Sequence, residues 1–368
     1  MKRLIICNTV YQLMTALWII HKKMNDADVD MIVTDHMKDG EIISERINER
    51  SKNISCYFVK DKEYSYNAIN EGSFRRRFYR FFPEKELKKF VELHTEYDEI
   101  FFANLVDRFV KLIVNAYGHM QHEKPELILY EDGILTYSKQ SRDDYLKSFP
   151  YERVSTRGMV SSFLFKDYSI REHLKKAIVY RPDLMEWELP IIERLPNIDL
   201  SDTEFIQFLN YIFNAENSLS EYDRKYIFME ESFVADGKEV ADVQLVDSIA
   251  ARVGKDNIMI KVHPRNPVNR FKELGYKTNT NVTIPWEVVC MNIDISKKVL
   301  ITIGSASILT PAMLLGKNIH AFSLYEVVQQ LNENNVGPKD AGYWATLRTI
   351  YEKYSNMIHI CKTVDEIS

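Results

Sequence analysis

The chain has 368 residues, too long for one ordinary hydrophobic core and suited to two domains. Apolar residues make up 45% and charged residues 27%, a globular balance without low-complexity stretches, and the formal charge of −5 argues against nucleic acid as the main partner. Four cysteines (Cys7, Cys56, Cys290, Cys361) are far apart and form no CxxC pair, which speaks against a zinc site or disulfide framework and for a reducing compartment.

In chain order, the apolar run after Met1-Lys2-Arg3 is interrupted by Asn8, Thr9 and Gln12, and no small-residue cleavage site follows His21-Lys22-Lys23. It reads as a buried strand, Leu4–Cys7, then a turn and a helix, rather than a signal peptide or a membrane span. Further strands are expected at Asp30–Thr34, Ser55–Phe58, Glu99–Phe102 and Leu127–Tyr130. Helical patterns lie between them at Tyr11–Lys23, Glu41–Lys52, Glu84–Thr95 and Arg108–His119. A charged and aromatic stretch from about Ser138 to Ser220 holds the break points Arg181-Pro182 and Leu195-Pro196.

The second half restarts the pattern. Strands are expected at Tyr226–Met229, Ile258–Val262, Val282–Ile284, Val299–Ile303 and Asn318–Phe322, with helices at Val240–Val253, Pro285–Met291, Ser307–Leu315 and Ser323–Asn334. Tyr343–Tyr354 reads as a last helix packing back on the first domain. Alternating strands and helices imply βαβ units and parallel sheets, hence an α/β chain with two Rossmann-like doubly wound domains facing a central cleft. The expected division is 1–155, a first Rossmann-like domain; 156–220, a partly helical connector; 221–342, a second Rossmann-like domain; and 343–368, the terminal helix. No membrane span is visible elsewhere, so a cytoplasmic location, at the inner face of the membrane or free of it, is expected.

Three motifs fall where strands end, the place at which open α/β sheets bind ligands. Tyr130-Glu131-Asp132-Gly133 follows the apolar run Leu127-Ile128-Leu129. Of two adjacent acids, one can take a proton from a hydroxyl while the other positions it, and Gly133 permits a sharp turn. An ordinary acidic turn is the plainer alternative. Lys261-Val262-His263-Pro264-Arg265 closes the next candidate strand; the histidine can donate to a leaving phosphate, Pro264 fixes its loop, and Lys261 and Arg265 supply positive charge. Gly304-Ser305-Ala306-Ser307 opens a helix, where free backbone N–H groups and hydroxyls can cradle a phosphate; a plain serine N-cap is the alternative. Between them, Pro285-Trp286-Glu287 follows helix-start rules, yet a carboxylate there can also bind both hydroxyls of a ribose.

Together, the acid–acid–glycine turn, Lys-x-His-Pro, Pro-x-Glu and Ser-x-Ser resemble the bacterial sialyltransferases. The opening Cys7-Asn8-Thr9-Val10-Tyr11-Gln12-Leu13 is similar to the start of the lipooligosaccharide and capsule sialyltransferase family, and Tyr180-Arg181-Pro182-Asp183 to a segment preceding its second domain. The resemblance spans most of the chain, least in the connector and in residues 35–95. It implies a GT-B-like, inverting transferase that needs no metal or other cofactor and moves sialic acid from CMP-sialic acid to a terminal sugar, galactose by expectation, of a bacterial surface glycan such as capsule polysaccharide or lipooligosaccharide.

By motif, the resemblance makes Glu131 the general base with Asp132 in support, and His263 the group that stabilises or protonates the departing phosphate. Gly304, Ser305, Ala306 and Ser307 would hold that phosphate and Glu287 the ribose. Lys261, Pro264, Pro285 and Trp286 would place the nucleotide, while Asn8, Gln12, Asn104 and Gly133 line the sugar or acceptor side. Two departures matter: the serines are separated by Ala306, so the phosphate contact could be either, and the pair is Glu-Asp, which leaves the base open between Glu131 and Asp132. Partners are a sugar nucleotide and a glycan; a homodimer is one candidate assembly. The cluster Arg75-Arg76-Arg77 with Arg80, set among aromatics, reads as a solvated face, with an acidic acceptor or anionic membrane surface as the alternative. His119 and His122 lack metal-ligand spacing. Two rival readings remain: a transferase for another sugar nucleotide such as a UDP-hexose, and a non-catalytic nucleotide- or glycan-binding protein.

Overall fold

A computed structural model of the protein describes residues 1–24, 27–62, 64, 82–139, 143, 168–237, 241–331 and 341–368. The basic cluster at 75–80 lies outside them. The chain divides into two compact units, Met1–Pro196 and Asn197–Ser368.

The first unit is built on a seven-stranded sheet, every pair parallel. Its strands are β1 (Arg3–Cys7), β2 (Val29–Thr34), β3 (Ile54–Val59), β4 (Glu99–Phe102), β5 (Glu126–Tyr130), β6 (Leu174–Val179) and β7 (Ile191–Arg194), in the order 3-2-1-4-5-6-7. β2 is buried at all six positions, the signature of a parallel sheet covered on both faces. Helix Val10–Lys23 leaves β1 through Thr9, whose hydroxyl caps it by accepting from the Gln12 N–H, and closes on His21, Lys22 and Lys23, favourable charges at a helix C-terminus. Helix Arg108–Met120 is capped in the same way by Asp107.

The second unit holds six parallel strands: β8 (Tyr226–Met229), β9 (Ile258–Lys261), β10 (Lys277–Thr278), β11 (Val299–Thr302), β12 (His320–Ser323) and β13 (Ile358–Ile360), in the order 10-9-8-11-12-13. Its core joins Phe228, Ile249, Ile260, Phe271, Ile301 and Phe322. In both sheets the order reverses direction beside the first strand, between β1 and β4 and between β8 and β11. Such switch points open a crevice at the strand ends.

Four expectations change. The separate connector at 156–220 is not seen: β6 and β7 extend the first sheet, since burial of Ala177, Ile178 and Val179 beside β5 outweighs the two lysines that mask the strand pattern. Val282–Ile284 is no strand; Asn281 accepts from the N–H and hydroxyl of Thr283, a local turn that wins over extension, and the edge is the short β10. The helix expected over Glu84–Thr95 covers only Pro83–Leu87. The last helix, Ala341–Lys353, belongs to the second unit, where Tyr351 donates to the Ser305 carbonyl at 2.8 Å and β13 pairs with β12.

Candidate functional site

In the first unit the ends of β1, β4 and β5 gather Asn8, Gln12, Asn104, Glu131, Asp132 and Gly133. Glu131 directly follows β5 and is wholly buried. Its Oε1 accepts from the Tyr11 hydroxyl at 2.7 Å. Its Oε2 accepts from the Tyr180 N–H at 2.8 Å and from the Tyr137 hydroxyl. Burial pushes its carboxyl up to about 7, against the hydrogen bonds from Tyr137, Tyr11 and Tyr180, which hold it lower; the Asp132 charge adds to the rise.

Asp132 is only partly buried. Burial raises its carboxyl to about 6, opposed by a hydrogen bond from the Gln12 side chain and assisted by the charge of Asp107. Gln12 in turn accepts from the Asn8 N–H at 2.7 Å, and Asn8 donates from its amide to Asp107 and accepts from Thr34 at 3.1 Å. One network therefore runs from β1 to the acid pair. Gly133 adopts φ 74°, a left-handed turn with open space around the position of a Cβ. Asn104 serves its own turn by accepting from Val106 N–H at 2.9 Å.

The other expected residues lie in the second unit. β9 ends on buried Lys261, and His263 follows. The His263 N–H donates to Glu230 at 2.9 Å, and its Nδ1 accepts from the Arg265 N–H at 3.3 Å. An accepting Nδ1 places the ring hydrogen of neutral imidazole on Nε2, where it can be offered to an anion. Burial depresses the Lys261 ammonium, against the charges of Glu287, Cys290 and Glu230, and raises the Glu287 carboxyl, against its own backbone N–H and the Lys261 charge. Glu287 also accepts from Thr310 at 3.4 Å. Trp286 donates its indole N–H to the Ser307 carbonyl at 2.9 Å, tying the Pro285 helix start to the serine turn.

Ser305 caps a 3-10 turn, Ala306–Leu309, that runs into helix Thr310–Leu315. Its Oγ accepts from the Ser307 N–H at 3.3 Å and from the Ser307 hydroxyl at 2.9 Å. The expected cradle of backbone amides is thus altered. Gly304 N–H donates to Glu231 at 2.5 Å and Ser307 N–H to Ser305, so the turn offers hydroxyls first. Accepting twice, Ser305 Oγ keeps its own hydrogen for a ligand.

The residues that sequence reasoning missed are Tyr11, Tyr137, Glu230 and Glu231. The signal for the last two was present: Tyr226-Ile227-Phe228-Met229 is an apolar strand closed by two acids, the pattern already recognised at Glu131-Asp132. Among the described residues one group has metal-ligand geometry, Asp35, His36 and Asp61 near the ends of β2 and β3, with ligand atoms within 4.8 Å of one another. All four cysteines are buried and free. No helix among the described residues is long and apolar enough to cross a membrane.

Residues 3–324 match the sequence model of the family described as alpha-2,8-polysialyltransferase (POLYST). No curated protein matches the chain in sequence. Among solved structures, the alpha/beta-galactoside alpha-2,3-sialyltransferase of Photobacterium phosphoreum, a luminous marine bacterium, is similar at a TM-score of 0.52 and 11% identity, over 100% of this chain and 99% of that one. That likeness supports the fold. The glycosyltransferase of kitacinnamycin (TM-score 0.48, 9% identity, 100% of this chain and 87% of that one) and a UDP-glucosyltransferase from Polygonum tinctorium (0.44, 8%, 96% and 98%) are more distant. The two parallel-sheet units are those of GT-B glycosyltransferases, as expected from the strand pattern.

Proposed function

The chain belongs to the alpha-2,8-polysialyltransferase family and is a sialyltransferase, and from that premise we propose that it transfers sialic acid from CMP-sialic acid to a hydroxyl of a sialic acid residue already on a bacterial surface glycan. The family's name supports a sialyl acceptor and lengthening of a chain over the galactose expected from sequence. In this reading the Glu131–Asp132 end of β5 serves the acceptor and the β9 and β11 ends serve the donor.

The observation that carries the proposal is the Glu131 carboxylate. A base poised near 7 by burial, with its oxygens aimed by two phenols and an amide, suits removal of a hydroxyl proton at neutral pH. Tyr11, partly buried where Glu131 is wholly so, is the part of that shell an acceptor hydroxyl would displace. As the acceptor oxygen bonds to the anomeric carbon with inversion, the bond from that carbon to the phosphate oxygen breaks, and CMP leaves with the electron pair. His263, through Nε2–H, and Ser305, through its hydroxyl, stabilise the phosphate charge. Lys261 adds a buried positive charge, and Glu287 accepts from the ribose hydroxyls. These residues supply the charge stabilisation without a metal, a further part of the proposal.

Partial exposure of Asp132 favours a second reading, in which Asp132 meets the acceptor and Glu131 orients it. The test is transfer from CMP-sialic acid to oligosialic acid and to a galactoside, together with Glu131→Ala and His263→Ala. Activity on the sialyl acceptor that falls by at least about 100-fold in each variant supports the reading, since a positioned acid or base contributes that much. Transfer to the galactoside alone overturns the acceptor, and retained rates in both variants overturn the roles. CMP should also raise the melting temperature more than UDP, GDP or AMP.

A further inference from the structure

Glu230 and Glu231 follow β8, the first strand of the second sheet and the one beside its switch point. Both are buried, with 4% exposure each. Their side chains diverge toward the loops that follow the two neighbours of β8. On the β9 side, Glu230 accepts the His263 N–H at 2.9 Å and pairs with Arg270 at 3.3 Å; Arg270 also pairs with Asp242 at 2.5 Å. On the β11 side, Glu231 accepts the Gly304 N–H at 2.5 Å. Next in line, Ser232 accepts from the Arg265 guanidinium at 2.6 Å. Burying adjacent carboxylates is costly, and the cost is offset only where each finds donors. Here both find main-chain amides of loops that come from strands far apart in sequence.

We propose that Glu230 and Glu231 are positioning residues that hold the His263 loop and the Gly304–Ser307 turn in mutual register for one nucleotide phosphate. This rests on the donor-side reading above. Glu230 also holds the Arg270 guanidinium, but the partner of Glu231 is a backbone amide, so at Glu231 what matters is where the oxygen reaches more than the charge it carries. That separates it from a catalytic acid or base.

Two variants of Glu231 divide reach from charge. Glu231→Gln keeps an oxygen at the same length and loses the charge. Glu231→Asp keeps the charge and withdraws the oxygen by about 1.5 Å, one carbon–carbon bond. Binding of CMP, its donor KM in transfer, and hydrogen exchange of the Gly304 amide are measured on the full chain, with melting temperature as the folding control. The expected result is CMP affinity within about threefold of wild type and a protected Gly304 amide in Glu231→Gln. Glu231→Asp should bind CMP about tenfold more weakly, with faster exchange at Gly304, the scale of one lost hydrogen bond. The reverse order overturns the proposal, as does a wild-type Gly304 exchange rate in Glu231→Asp. Should Glu231→Asp fold poorly, Glu231→Met, which keeps length and drops the acceptor, takes its place with the same expectations. Failure of wild-type protein to bind CMP would instead sink the nucleotide assignment, while exchange at Gly304 still decides the anchor.

Discussion

The Tyr137 hydroxyl donates to the Glu131 carboxylate from six positions further along the chain, on the short 3-10 turn Leu135–Tyr137 that the left-handed Gly133 makes reachable. The acid pair is therefore held by its own turn as well as by the helix after β1 and the end of β6. Each element of that arrangement can be probed separately.

The pH dependence of kcat/KM reports the base. With Glu131 as base, activity should rise with pH through an acid limb near 7; with Asp132, near 6. Tyr137→Phe should move a Glu131 limb upward, because that phenol lowers the Glu131 carboxyl. An unmoved limb in Tyr137→Phe would assign it to another group.

Stability should respond to the same carboxylate in the opposite sense to activity. Glu131 is raised from 4.5 to about 7, so its contribution to stability is present below 4.5 and lost as pH rises through 7. Glu131→Gln is thus expected to be more stable than wild type at pH 8, by up to about 3 kcal/mol, with the difference shrinking toward pH 5. Denaturant melts at the two pH values check this, and an equal difference at both would refute it.

The two serines should separate. Ser305→Ala removes the hydroxyl that accepts from Ser307 and retains a hydrogen for the phosphate, so CMP affinity should fall about tenfold. Ser307→Ala loses one donor to Ser305 and should cost a few-fold at most. Titration calorimetry with CMP distinguishes them, and the reverse ranking would move the phosphate contact to Ser307.

Gly133→Ala meets no atom within 4 Å, so its cost is backbone strain alone at φ 74°, about 1–2 kcal/mol in denaturant melts. A larger loss would indicate that the turn rearranges and takes Thr136, whose hydroxyl accepts from the Asp132 N–H, with it.

Chelation tests the metal-free reading. Transfer should be unchanged in excess EDTA; a loss restored by a divalent cation would direct attention to Asp35, His36 and Asp61.

Much of this was legible in the sequence because parallel strands buried on both faces are continuous apolar runs, and because a ligand site at strand ends puts its motifs directly after them. Glu99–Phe102 and Tyr226–Met229 were read to the residue. What failed was set by tertiary context. β6 carries Lys175 and Lys176, β7 is a four-residue edge, and β13 spans three residues, so none shows its pairing partner in its own pattern. The second-unit motifs stand out one by one, but the carboxylates that join them do not, since a hydrogen bond from a main-chain amide to a side chain 33 or 73 positions away leaves no periodicity.

The way the chain finishes has a practical side. β13 lies along β12 and Tyr351 holds the Ser305 carbonyl, so residues 341–368 complete the second unit rather than trail from it. A protein shortened at 340 would bare the main-chain groups of β12 as an adhesive edge and loosen the serine turn together. Precipitation and weakened nucleotide binding would then share one cause, and trimming this end to improve crystals would be self-defeating.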